Sequence, residues 1–127
     1  MPIMRFQKDS AGENQSMTLP NAENVFVEER KVTRYLLSLE SEDGQHKAAF
    51  FFRFGFSVED WRLFAVALCQ HGQENEVVKV TDRGEFGKLY VVEGPLVTPD
   101  GRNPVLRSVW EIVPENAAPR LVTAYPL

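Results

Sequence analysis

Cysteine is nearly absent from this 127-residue chain. Cys69 stands alone, so no internal disulfide can form and the fold must hold by packing. Histidine is almost as scarce: His46 and His71 are the only two, and no Cys/His cluster has the spacing of a zinc site. No apolar run approaches the ~20 residues of a membrane span. The opening MPIMRFQKDSAGENQ lacks the apolar stretch of a secretory signal. We therefore expect a soluble cytoplasmic domain with no membrane partner. Walker, dinucleotide-binding and nucleophile-elbow motifs are missing, and Gly84-Glu85-Phe86-Gly87 is too short and too acidic to cradle a phosphate. No cofactor and no metal is expected. Positive charge is in deficit, with 14 Lys+Arg against 18 Asp+Glu and a net charge of −4. That balance argues against a general nucleic-acid coat, which needs a basic surface.

What is present is ordinary globular material, 43% hydrophobic and 25% charged. The length suits one domain with one core. Residues 1–18 are polar and aperiodic and read as a flexible lead-in, with 19–127 as a single domain. Leu19-Pro20-Asn21 marks the boundary, because proline holds the residue before it extended. Three amphipathic helices are predicted next. In the first, Val32, Tyr35, Leu36 and Leu39 follow the spacing of one helical face, with Glu28 and Glu29 at the positive end of the helix dipole. Ser41-Glu42-Asp43-Gly44 breaks it. The second starts near Gln45 or His46 and carries Ala48, Phe51, Phe52 and Gly55 as its stripe. The third starts at Ser57, with Asp60 in capping-box position. It buries Trp61, Phe64, Ala65 and Leu68 and ends near Gly72.

The period then changes. Val77–Val80, Leu89–Val97, Val105–Val113 and Leu121–Tyr125 read as strands, with turns at 82–87 and Asp100-Gly101 and a loop over 114–119. Connections this short force antiparallel pairing. The fold class is α+β: three helices, then a four-stranded antiparallel meander.

Several groups can carry chemistry, and each has a plainer alternative. His46-Lys47 opens the second helix, where an imidazole can exchange a proton near neutrality and a lysine can hold a phosphate; the alternative is a solvated helix end. Arg107 and Arg120 can converge on one sheet face and grip phosphate with their planar forks; the alternative is pairing with Glu93 and Glu111. Thr123 and Tyr125 share parity on the last strand, so both hydroxyls point the same way. Ser108 on the neighbouring strand can join them; the alternative is ordinary strand propensity. Cys69 reads as core.

Two stretches carry a likeness to known families. LPNAENVFVEERKVTRYLL followed by DGQHKAAFFFRFGF resembles an uncharacterised family of small bacterial domains. Its members open on Leu-Pro-Asn-Ala (Leu19 to Ala22). A Lys-x3-Tyr-Leu-Leu helix (Lys31, Tyr35 to Leu37), Gly-x-x-Lys-Ala (Gly44, Lys47, Ala48) and Gly-Phe (Gly55, Phe56) come next. The likeness continues through Gly101, Ser108 and Trp110 to the ending PRLVTAYPL. That Thr-Ala-Tyr-Pro close is similar to the ends of small ribonuclease toxins of the barnase–EndoU–colicin–RelE group, whose helices also precede a four-stranded antiparallel sheet. The resemblance implies metal-independent RNA cleavage. His46 would be the base or acid, Lys47, Arg107 and Arg120 would stabilise charge, and Thr123 and Tyr125 would position the phosphate. RNA and a small cognate antitoxin are the partners it implies. The competing expectation is a non-catalytic immunity or inhibitor-like module, since acidic proteins cap basic nuclease sites.

Overall fold

The computed structural model describes residues 17–38 and 45–127. Most of the expected lead-in and the Ser41–Gly44 break lie outside these residues. The chain forms helical segments first and then a four-stranded antiparallel sheet in the order β1-β2-β3-β4, an α+β fold. The helices are α1 (Glu29–Lys31), α2 (Gln45–Arg53) and α3 (Trp61–Glu74). The strands are β1 (Glu76–Asp82), β2 (Lys88–Pro95), β3 (Val105–Val113) and β4 (Asn116–Pro126).

Three local readings change in the structure. The first helix is a single α-turn that widens into a π-helix over Val32–Leu36. The Leu37 N–H reaches the Val32 carbonyl at 2.8 Å, an i to i+5 bond. The wider turn brings Leu37 into the core with Val32 and Leu36, all three no more than 1% exposed. The third helix starts at Trp61 rather than Ser57. The Ser57 hydroxyl accepts the Asp60 N–H at 3.2 Å and so closes a turn ahead of the helix. The expected 114–119 loop is mostly strand, because β4 already begins at Asn116. Pro119 misled the reading. On this edge strand its carbonyl faces away from β3 and accepts the Phe26 N–H at 3.0 Å, so its missing N–H costs no ladder bond. Phe26 also accepts from Leu121 N–H, forming a parallel bridge that covers the β4 edge.

The β3 alternation places Leu106, Ser108 and Trp110 on the helix-covered face, each 0% exposed. Their layer continues through Val92, Leu121 and Ala124 and packs with Phe51, Phe56, Phe64 and Leu68 from the helical side. Phe64 joins both Phe51 and Phe56 at 4.6 Å between ring centroids. Truncating any such buried ring costs about 3–5 kcal/mol. Gly72 lets α3 approach the sheet closely: a Cβ there would lie 2.6 Å from Trp110 Cζ2. Between β2 and β3, Gly101 takes φ +81° in the turn after Asp100, a conformation open to glycine.

The other face of the sheet carries three cross-strand rows. Glu93 pairs with Arg107 and Arg107 with Tyr125; Val91 with Val109 and Val109 with Thr123; Leu89 with Glu111 and Glu111 with Arg120. Val122 is the extra residue of a bulge between the Thr123 and Leu121 pairings. Bulges of this kind re-aim neighbouring side chains.

Candidate functional site

Lys47 extends from the first turns of α2 to β4, although 76 residues separate it from Thr123. Its Nζ donates to the Thr123 hydroxyl at 3.1 Å and to the Tyr35 hydroxyl at 3.2 Å. It also lies 5.0 Å from the Tyr35 ring centroid and 5.5 Å from that of Tyr125. Arg107 approaches Tyr125 as well, with its Cζ 5.7 Å from the ring centroid and an N–H donated to the phenol oxygen at 3.5 Å. The Arg107 Nε donates to Glu93 at 2.6 Å. The Tyr125 hydroxyl first, and Glu93 second, raise the Arg107 pKa further above its already high value, so the guanidinium stays charged. Lys47, Arg107, Thr123 and Tyr125 thus form one contact group.

Two of the six sequence candidates stand outside this group. His46 is exposed, and its side chain makes no hydrogen bond or ion pair to a described residue. Consecutive helix positions diverge by about 100°, so its side chain leaves α2 on a different bearing from that of Lys47. Arg120 lies two rows along the sheet from Arg107, about 13 Å at strand spacing. It pairs with Glu111 and with Glu28, the latter at 3.2 Å. Glu111 is also held by Arg83 at 2.7 Å. Arg120 foremost, then Arg83, keep the Glu111 carboxyl below the usual carboxylate range. This chain of charges ties α1 to the sheet and leaves Arg120 fully partnered.

Ser108 does not join the hydroxyl pair. Its parity is opposite to that of Thr123 and Tyr125, and it is buried beside His71. His71 Nε2 faces two carbonyls, Gly94 and Leu106, each at 3.0 Å. Carbonyls only accept, so Nε2 carries the proton and Nδ1 accepts the Ser108 hydroxyl at 2.8 Å. The Ser108 oxygen in turn accepts the Trp110 indole N–H at 2.8 Å. Burial lowers the His71 pKa, against the two carbonyl bonds, and holds the ring neutral. Cys69 lies half-buried on α3, its thiol pKa pushed up by burial.

Sequence reasoning passed over Tyr35 as a member of the group, whereas the pairing of Arg107 with Glu93 was one of its two readings. Tyr35 sits on an apolar helical stripe and was counted as core, and it is only half-buried. Its place between Lys31 and Lys47 in the family motif was the available signal. Among the described residues no set of three His, Cys, Asp or Glu is arranged to hold a metal ion, and no helix is long and apolar enough to cross a membrane.

Comparison with known proteins shows the family and the fold. Residues 18–127 match the domain of unknown function DUF6883, so the chain belongs to that family. No curated protein matches the sequence. Among solved structures, the fold is similar to a chain from a contact-dependent growth inhibition toxin–immunity protein complex of Klebsiella pneumoniae 342. The TM-score is 0.62 at 19% identity, over 83% of this chain and 95% of that one.

Proposed function

We propose that this chain is a toxin-like endoribonuclease that cleaves RNA without a metal ion. The convergence of Lys47, Arg107, Thr123 and Tyr125 carries this reading: two cations and two hydroxyls meet at one strand edge. Such a group suits a phosphate and repels a divalent cation. Lys47 is bonded to neutral oxygens, and among the described residues no carboxylate lies within ion-pair distance of it, so its charge is available to an anion. Likeness in fold to a chain from a toxin–immunity protein complex adds support, and a small cognate protein is the partner proposed with it.

In the proposed reaction water takes the proton of a ribose 2′-OH, because His46 stands outside the contact group. The 2′ oxygen bonds to the adjacent phosphorus, the P–O5′ bond breaks, and the leaving 5′ oxygen takes a proton from water. The products are a 2′,3′-cyclic phosphate and a 5′-OH. Lys47 and Arg107 offset the charge that develops on the phosphorane. Thr123 and Tyr125 orient its oxygens.

Incubating purified protein with total RNA in a metal chelator tests this. Cyclic-phosphate ends and growth arrest on induction are expected, both abolished in a Lys47→Ala, Tyr125→Phe double variant. Intact RNA together with normal growth would defeat the reading. Co-purification of a basic partner in that case would favour an immunity-like module, to which the net charge of −4 is suited.

A further inference from the structure

Lys31 extends the contact group by one member. Its Nζ lies 5.5 Å from the Tyr35 ring centroid, on the ring that Lys47 also approaches at 5.0 Å. Cations and rings therefore alternate in the order Lys31, Tyr35, Lys47, Tyr125, Arg107. The series crosses the first helix, α2, β4 and β3. The proposed chemistry uses only the part from Lys47 onward. Lys31 and Tyr35 are one helical turn apart, so their side chains lie on one side of that helix.

We propose that this series is the track of a single-stranded RNA, with Lys31 and Tyr35 forming the subsite for the nucleotide next to the cleaved phosphate. The inference rests on the ribonuclease reading and specifies its substrate. A single strand can step its phosphates along cations separated by rings, and its unstacked bases can lie on the tyrosine faces. A duplex fixes its phosphates on a helix and hides its base faces, so it cannot use the rings. Stacking on tyrosine tolerates any base, so little sequence preference is expected from this subsite.

Uncleavable 2′-O-methyl oligonucleotides test binding apart from chemistry, because the attacking hydroxyl is blocked. Fluorescence anisotropy would compare an eight-nucleotide single strand with its duplex across 50–200 mM salt. The single strand is expected to bind more tightly, with a log–log salt slope near −2 for three phosphate contacts. Lys31→Ala should reduce that slope by about 0.7 and weaken binding roughly fivefold at 0.1 M salt. Lys31→Arg should retain both values, which separates lost charge from lost folding. Arg62→Ala on α3 removes the same unit of charge where Arg62 stacks on Trp61, and should change neither. If Lys31→Ala behaves like Arg62→Ala, or the duplex binds as well as the single strand, the track is refuted while RNA cleavage by the wild type still stands. A wild type that neither binds nor cleaves RNA removes both.

Discussion

β3 and β4 present two polar systems on opposite faces, and the two differ in how fully they are satisfied. Against the helices, His71, Ser108 and Trp110 form a closed set in which each ring N–H, the serine hydroxyl and the free imidazole nitrogen have partners. That set can do nothing except hold α3 to the sheet. On the other face and along the β4 edge, Lys47 rests on two hydroxyls and two aromatic faces, partners that stabilise a cation without neutralising it. Alternate residues of the same strands thus supply a closed polar network and one that leaves a cation without a charged partner among the described residues. Whether a charge or proton remains to be shared tells them apart better than residue type, because the buried histidine is the structural one.

Mutations on the two faces should therefore separate catalysis from stability. Lys47→Ala is expected to lower RNA cleavage about 10²–10³-fold, the usual loss for one electrostatic stabiliser, with little change in the unfolding midpoint. Ser108→Ala should do the reverse. It strands the Trp110 N–H and the His71 Nδ1 in the core, costing roughly 2–4 kcal/mol in denaturant unfolding, while cleavage per folded molecule holds. Gly72→Ala forces a methyl against the Trp110 ring and should cost about 1–3 kcal/mol by the same assay. The closed network also predicts a pH dependence. The His71 pKa is lowered from its ordinary 6.5, so below that pH the unfolded chain binds more protons than the folded one. Stability is fully present above 6.5 and falls as pH drops from there toward the folded value. Unfolding free energies between pH 7.5 and 5 would read this slope, which His71→Asn should flatten. The smallest effect belongs to Arg120→Ala, below about 1 kcal/mol and without loss of cleavage, because Arg83 still holds Glu111.

The order of helices and strands was legible in the sequence because hydrophobic spacing shifts from helical to alternating near Val77. The β3 bounds, Val105–Val113, follow directly from that alternation. Two features had no local signature. The π-turn at Val32–Leu36 depends on packing Leu37 with the core, and the early start of β4 depends on Phe26 meeting Pro119 from 93 residues away. At the site, shared parity on β4 was enough to align Thr123 with Tyr125. That Lys47 would reach them, and that Tyr35 would face them, are tertiary facts. His71 continues the α3 stripe from Phe64 and Leu68, and Ser108 and Trp110 share one parity on β3. Those periods place all three indoors, yet their mutual bonding needed coordinates.

The Lys47–Thr123 contact joins the opening of α2 to the last strand of the fold. Chains emerge from the ribosome in order, so α2 and α3 are made well before their strand partner. Until β4 is delivered, the grouping of lysine, arginine and tyrosine does not exist. Under the proposed ribonuclease activity, a nascent chain would be harmless to the RNA of the machine that makes it and would arm itself only when the fold is closed.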